Sequence, residues 1–214
     1  MPNALMVDYE TLDFKPSAIV LSCGMLVFDP NGYRHELVDS FGVIIAPFAT
    51  HMIMHSEDDQ PGRTISKSTV DWWARLPSNV RDRVFGENVH RISVAEHLII
   101  LREMIKEHKI DEVYANSPRF DLSIAESLWD TIFPTEKFPI NFRIERDVRS
   151  LEKFIFQSSS GRYAGGIFEF GNAHAEIDDC VRQAMVMQAL HQFRNVAIET
   201  LGDPMEFAKA NYLK

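Results

Sequence analysis

A chain of 214 residues, 45% hydrophobic with 15 Phe and 3 Trp, can bury a sizeable core and suits one compact α/β domain spanning residues 1–214. Its net charge of −9 argues against a protein that coats long nucleic acid, since phosphate binding draws on excess Lys and Arg, but permits an enzyme gripping only the last nucleotides. No stretch is apolar for long enough to span a membrane, and Met1-Pro2-Asn3-Ala4 lacks the basic start of a secretory signal, so the cytosol is expected.

In chain order, residues 4–7 form a short apolar strand ending at Asp8, and residues 19–28 a second strand. Asp29-Pro30-Asn31-Gly32 signals a turn, so residues 34–46 are expected to return as a third strand. Residues 47–68 are polar, with the run Glu57-Asp58-Asp59-Gln60-Pro61-Gly62, and read as an exposed loop. A helix follows in Ser68-Thr69-Val70-Asp71-Trp72-Trp73, capped by Ser68 or Thr69. Residues 93–108 place Val94, Leu98, Leu101 and Ile105 at helical spacing, with Ser93-Val94-Ala95-Glu96 as a capping box.

Residues 111–116 read as a buried strand, and 120–132 as a helix ended by Phe133-Pro134. An edge strand at 144–148 leads into a helix at 148–156, followed by a flexible loop through Ser158-Ser159-Ser160-Gly161 to Gly165-Gly166. A long helix at 176–201 carries Val181, Ala184, Met185, Gln188 and Ala189 along one face and stops at Gly202-Asp203-Pro204. Meandering strands followed by strands alternating with helices make a mixed central sheet flanked by helices. Cys23 and Cys180 are far apart without ligand-like neighbours and read as a reduced pair. His51, His55, His90, His97 and His108 show no ligand spacing and read as surface residues.

Three short segments carry chemistry. Asp8 and Glu10, two apart at a strand end, point to one face. Two carboxylates so placed raise each other's pKa unless a cation lies between them, and oxygen-rich sites suit Mg²⁺ or Mn²⁺. Alone, the pair reads more readily as a strand end with two solvated acids. Asp121, closing Asn116-Ser117-Pro118-Arg119-Phe120-Asp121, is alone a first-turn acid favoured by the helix dipole. Asn116 either braces that turn or touches substrate. His174 precedes Asp179 by five residues at a loop-to-helix junction, so the two can face one point: a histidine taking a proton from water beside a metal held by Asp179. The plain alternative makes Asp178 and Asp179 helix N-terminal acids with His174 incidental, and Asp178 is the rival ligand.

In this order the segments resemble the DEDDh exonucleases, the group containing ribonuclease T, oligoribonuclease and polymerase proofreading subunits, over most of the chain. More narrowly, the Trp72-Trp73 segment, Arg146-Asp147-Val148-Arg149 and residues 174–187 look like the phage exonuclease A type and its mycobacterial-type exoribonuclease relatives. The resemblance implies a ribonuclease H-like fold and two ions, Mg²⁺ or Mn²⁺, held by Asp8, Glu10, Asp121 and Asp179, with His174 as general base. It implies 3′–5′ hydrolysis of single-stranded DNA, with RNA as the alternative substrate, a catalytically dead nucleic-acid-binding protein as the remote one, and a homodimer as a further expectation. A neutral histidine is required, so activity falls at acidic pH. Thr11, Leu12, Asn116, Trp73, Arg149 and Arg162 are the expected substrate contacts; of the adjacent tryptophans, one packs inward and the other stacks on a base. Asp147 reads as a brace for the neighbouring helix, and Tyr163 joins Arg162 in the loop before His174. Arg119 and Pro118 depart from the small or acidic residues expected before Phe120-Asp121, and Glu176 adds charge near the catalytic helix.

Overall fold

The structure is a computed structural model that describes residues 3–54, 60–87, 89–156, 168 and 170–212. Six strands form one mixed sheet: β1 (Ala4–Thr11), β2 (Val20–Phe28), β3 (Ala49–Met54), β4 (Arg91–Ile92), β5 (Glu112–Ala115) and β6 (Glu145–Asp147). Their spatial order is β4-β3-β2-β1-β5-β6, with β2 antiparallel to both β1 and β3, and β5 parallel to β1 and β6. The α/β architecture expected from the sequence is therefore the one formed, and β6 lies at the edge as read.

Alternation along β1 divides the core. Leu5, Val7 and Tyr9 face the layer holding α3 (Val94–Glu107) and α4 (Pro118–Ile132), packing with Leu98, Leu101, Ile124 and Leu128. Ala4 and Met6 face α6 (Glu176–Leu201), meeting Cys180, Val181, Ala184 and Met187. Each fully buried Leu, Ile, Val or Met among them contributes roughly 1.5–3 kcal/mol. Asp8 and Glu10 continue the α6 side of that alternation.

What brings α6 onto the strands is a missing side chain. Gly24 on β2 pairs with Asp8, and a Cβ there would lie 2.6 Å from the backbone carbon and oxygen of Glu176. The first residue of α6 thus rests directly on the strand backbone, at the level of the first acidic residue.

Two expectations about the meander need correction. Residues 34–46 do not form a strand: a 3₁₀ turn occupies Arg34–Glu36, and Val38 and Ile44 meet only in an isolated bridge. The Asp39 carboxylate accepts from the N–H groups of Phe41 and Val43, both 2.9 Å, which bends the segment into a tight loop. The third strand is β3, inside the segment read as loop; Met52, Ile53 and Met54 are buried, but polar flanks hide so short a run. Its acidic neighbours 55–59 lie outside the described residues, as does the expected loop at 158–166.

Among the helices, α3 has the expected cap, Ser93 accepting from Glu96 N–H at 3.1 Å, and the expected α5 (Val148–Phe156) and α6 are present. α1 (Lys67–Trp73) starts slightly earlier than expected, after Ser66. α2 (Ser78–Phe85) and α7 (Pro204–Tyr212) are additions. Pro204, read as part of a stop signal, also opens α7, because proline is compatible with a first helical turn and Asp203 accepts from Met205 and Glu206 N–H. No helix among the described residues is long and apolar enough to cross a membrane. Cys23 and Cys180 are free and buried.

The histidine reading is also corrected. His97 is fully buried, because 94, 97, 98 and 101 share the inward face of α3, and its Nε2 lies 2.6 Å from the Tyr9 hydroxyl. Burial pushes its pKa down to about 3. His51 pairs with the buried carboxylate of Glu176, and His55 lies outside the described residues.

Two outcomes follow from these contacts. Gly24→Ala should destabilise the fold by about 1–3 kcal/mol in urea denaturation, since backbone must move to admit the methyl group; an unchanged midpoint would show that α6 is not seated there. For His97, the unfolded chain takes up a proton near pH 6.5 while the folded chain resists to about 3. Stability should therefore fall with pH across that window, by up to about 1.4 kcal/mol per pH unit from this group, and His97→Gln should flatten the slope in pH-dependent denaturation.

Candidate active site

The carboxyl end of β1 receives side chains from two helices. The backbone N–H of Tyr9, between Asp8 and Glu10, donates to Asp121 Oδ1 at 3.0 Å. Asp121 reaches it from the first turn of α4, after Ser117 in the left-handed region (φ 122°, ψ 89°) and Pro118 at the start of the helix. From the other layer, Gln183 on α6 donates its amide to Asp8 Oδ1 at 3.0 Å, and Asp179 stands one turn earlier on that helix.

His174 precedes α6 on a loop in which its own φ is +62°. Its backbone N–H donates to Asp179 Oδ2 at 2.9 Å, and its Nδ1 lies 4.0 Å from Glu10 Oε1. Potential ligand atoms of Glu10, His174 and Asp179 all lie within 4.8 Å of one another. Asp178 has a different task. It accepts from Asn172 N–H at 2.9 Å and from Arg83 at 3.3 Å, and presses against Gly171, where a Cβ would come within 2.4 Å of its carboxylate. Arg182 pairs with Asp179 and donates to the carbonyls of Phe170 and Asn172, tying the loop to the helix.

The electrostatics reflect this crowding. Burial, then the charges of Asp179, Asp121 and Glu10, push the Asp8 pKa well up, with the Gln183 amide opposing. Glu10 is pushed well up by burial, Asp179, Glu176 and Asp121. Asp179 is raised by burial against the opposing Arg182, and Asp121 by burial against the Tyr9 N–H and Arg149. Burial lowers the His174 pKa, favouring the neutral imidazole, against the charge of Asp179. Carboxylates that resist ionising together are relieved by a cation between them, and an oxygen-rich donor set suits a hard divalent ion. The residues therefore fit a metal centre.

The expected substrate contacts divide. Trp73 is only 2% exposed and donates its indole N–H to the Thr11 carbonyl, so it is not available to a base. Trp72 is the accessible one, 37% exposed, with its ring edge-on to His174 at 4.8 Å between centroids. Adjacent helical residues point about 100° apart, so burying one exposes the other. Thr11 shares the inward side with Tyr9, is buried and donates its hydroxyl to the Asp13 carbonyl at 2.7 Å, which removes it as a ready contact. Leu12 is partly buried against the small cluster around Trp73. Asn116 follows β5 with a buried Oδ1 that meets no donor, and Arg149 is exposed with its charge acting on Asp121. Asp147 caps α5 through Arg149 N–H and the Ser150 hydroxyl. Arg162 and Tyr163 lie outside the described residues.

Sequence reasoning missed Gln183, Arg182 and Gly24. Positions 179, 182 and 183 share one helix face, so spacing from Asp179 would have flagged the first two. Gly24 had no local signal, since its reason is a helix more than 150 positions away.

The sequence model of the 3′–5′ exoribonuclease Rv2179c-like domain matches residues 3–191. An exodeoxyribonuclease of enterobacteria phage T4 is 22% identical, covering 86% of this chain and 86% of its own. A zinc-bound form of E. coli exonuclease I with single-stranded DNA is 16% identical, with a TM-score of 0.57 over 94% of this chain and 44% of that one. A structure of exonuclease I described in terms of its processivity gives 16% identity and a TM-score of 0.58 over 92% of this chain and 44% of that one. The chain thus spans less than half of the exonuclease I structures it matches, and that likeness is one of fold, ribonuclease H-like.

The crowded acids predict a stability cost that an ion removes. In chelator, Asp8→Asn should melt about 2–4 °C above the wild type, corresponding to about 1 kcal/mol for a chain of this size. Added Mn²⁺ should raise the wild-type melting temperature and leave the variant nearly unmoved. A variant less stable than wild type in chelator would remove the repulsion from the account.

Proposed function

This chain belongs to the 3′–5′ exoribonuclease Rv2179c-like domain family and is a 3′–5′ exonuclease, and on that premise we propose that it shortens single-stranded DNA from its 3′ end, releasing nucleoside 5′-monophosphates. The observation that carries the reading is the convergence of Asp8, Glu10, Asp121 and Asp179 from three elements on one point, with His174 beside two of them. In the reaction, water adds to the phosphorus of the terminal nucleotide, giving up a proton, the bond to the 3′-oxygen of the preceding nucleotide breaks, and that oxygen leaves with the bonding pair and takes up a proton from solvent to become the new 3′-hydroxyl.

The four carboxylates would hold two divalent ions, Mg²⁺ or Mn²⁺, which when bound supply charge for the crowded phosphate and the leaving oxygen. The protein's own part is positional. Gln183 fixes one oxygen of Asp8, leaving the other to turn outward. Tyr9 N–H fixes Asp121, and Arg182 with the His174 N–H fixes Asp179. His174, its pKa lowered by partial desolvation against the charge of Asp179, takes the proton from the attacking water. The Trp72 ring edge limits how the imidazole can swing.

A second reading, that the strand is RNA, is favoured by the description of the matching family as exoribonucleases. The choice depends on how the 2′-hydroxyl is met.

Labelled single strands of DNA and RNA of one sequence, incubated with Mg²⁺ or Mn²⁺, decide between these. DNA should shorten from the 3′ end only, and chelator should stop it. His174→Ala should lower kcat about 10²–10⁴-fold while keeping the Mn²⁺-induced rise in melting temperature. Degradation of RNA alone overturns the DNA assignment.

A further inference from the structure

Beside the acidic site lies a groove that none of the catalytic chemistry uses. Its volume is about 490 Å³, and its apolar lining is Leu12, Ile65, Val70, Trp73 and Phe85, with Arg81 and Asp82 as its charged members. Ile65, Val70 and Phe85 are all more than 40% exposed, so an apolar floor of ligand-pocket size stands open to water.

Two observations say what fits it. The first is continuity with the active site. Leu12 stands two residues beyond Glu10 on the same stretch of chain, about 7 Å along an extended backbone. Trp73 at the groove wall holds the Thr11 carbonyl, and the neighbouring Trp72 touches His174. The second is charge. Of the cations between positions 63 and 91, Lys67 pairs with Asp71 and Arg83 with Asp178, while Arg63 and Arg91 donate to backbone carbonyls. Arg81 has a buried Nε without an acceptor, and its Nη1 meets only the Ala74 carbonyl at 3.5 Å. An arginine so placed, over an apolar floor with an aromatic ring, matches a phosphate joined to a nucleobase.

We propose that the groove between α1 and α2 is a second nucleotide subsite, holding the base of the nucleotide that precedes the terminal one, with Arg81 on its phosphate. The base lies against Phe85 and the aliphatic lining. The subsite engages single strands, because a base paired in a duplex cannot turn into it. The identity of the ligand rests on the exonuclease reading, but the groove can be tested without hydrolysis.

The probe is a short 5′-fluorescein oligothymidylate, its binding followed by anisotropy with Ca²⁺ in place of Mg²⁺. Thymidine 5′-monophosphate, which can fill only the terminal position, serves as the control competitor. Phe85→Ala and Arg81→Ala should each weaken oligothymidylate binding about tenfold or more and leave the monophosphate Kd unchanged. Arg81→Ala should also reduce the salt dependence of binding by about one unit of slope, which a merely structural role would not do. Phe85→Tyr, keeping the ring, should bind as wild type, which separates loss of stacking from loss of fold. Equal weakening for both ligands, or for neither, overturns the subsite. So does self-association of the wild type that Phe85→Ala abolishes while oligothymidylate binding is retained, because the groove would then belong to a second copy of the chain. The p-nitrophenyl ester of thymidine 5′-monophosphate tests the hydrolytic reading separately: if it and the oligonucleotides stay intact with Mg²⁺ while binding still depends on Phe85 and Arg81, the hydrolytic reading falls and the subsite stands.

Discussion

Glu10, Asp121 and Asp179 all raise the proton affinity of Asp8, and these residues come from β1, α4 and α6. Holding like charge together at a partly buried point costs folding free energy, and the rest of the architecture can be understood as the means of sustaining it. The hydrophobic layers on both sides of β1 supply the gain, with α3 and α4 on one side and α6 on the other. The neutral donors Gln183 and Tyr9 N–H steady individual oxygens without cancelling the charge. Arg182 and Arg149 offset it in part, at Asp179 and Asp121 respectively. A centre fully neutralised by arginine would be more stable and would have little attraction for a cation.

Helix α6 serves both sides of that balance. Cys180, Val181, Ala184 and Met187 bury its apolar positions, while Asp179, Arg182 and Gln183 serve the site from the same two turns. Its N-terminus is anchored twice: Glu176 rests on Gly24, and Asp178 grips Asn172 and Arg83 from the opposite side. Asp178, the sequence's rival for Asp179, thus shapes the loop that presents His174, as its neighbour faces the acids. The two residues lie about 100° apart around the helix, which is enough to give adjacent, chemically identical side chains unrelated tasks.

Elements with strong local signals were legible in the sequence. The helix at 176–201 has acids in its first turn and glycine after its last, and Ser93 with Glu96 marks a start that needs no tertiary help. The order Asp8, Glu10, Asp121, His174, Asp179 was legible because it is an order, whereas their nearness is a product of the sheet. What failed depends on distant partners. β3 is a short run whose strand character comes from pairing with β2. Trp72 and Trp73 are interchangeable until the rotation of α1 is known, and His97 is an ordinary histidine until α3 settles on Tyr9. Gln183 needed only a count along the helix from Asp179, and was missed because an amide has no catalytic reputation of its own.

The backbone at Ser117 bears on how firmly the site keeps its shape. A residue other than glycine with φ at 122° is held in a sparsely populated conformation, at about 1–3 kcal/mol. It cannot relax without withdrawing Leu122, Ile124 and Ala125 from the core. The joint between β5 and α4 is thus set by the hydrophobic layer, which fixes the first turn of α4 where it meets β1. Asp121 therefore keeps its place by the packing of its whole helix as well as by its single hydrogen bond, so its position is inherited from the core rather than from any ion it meets.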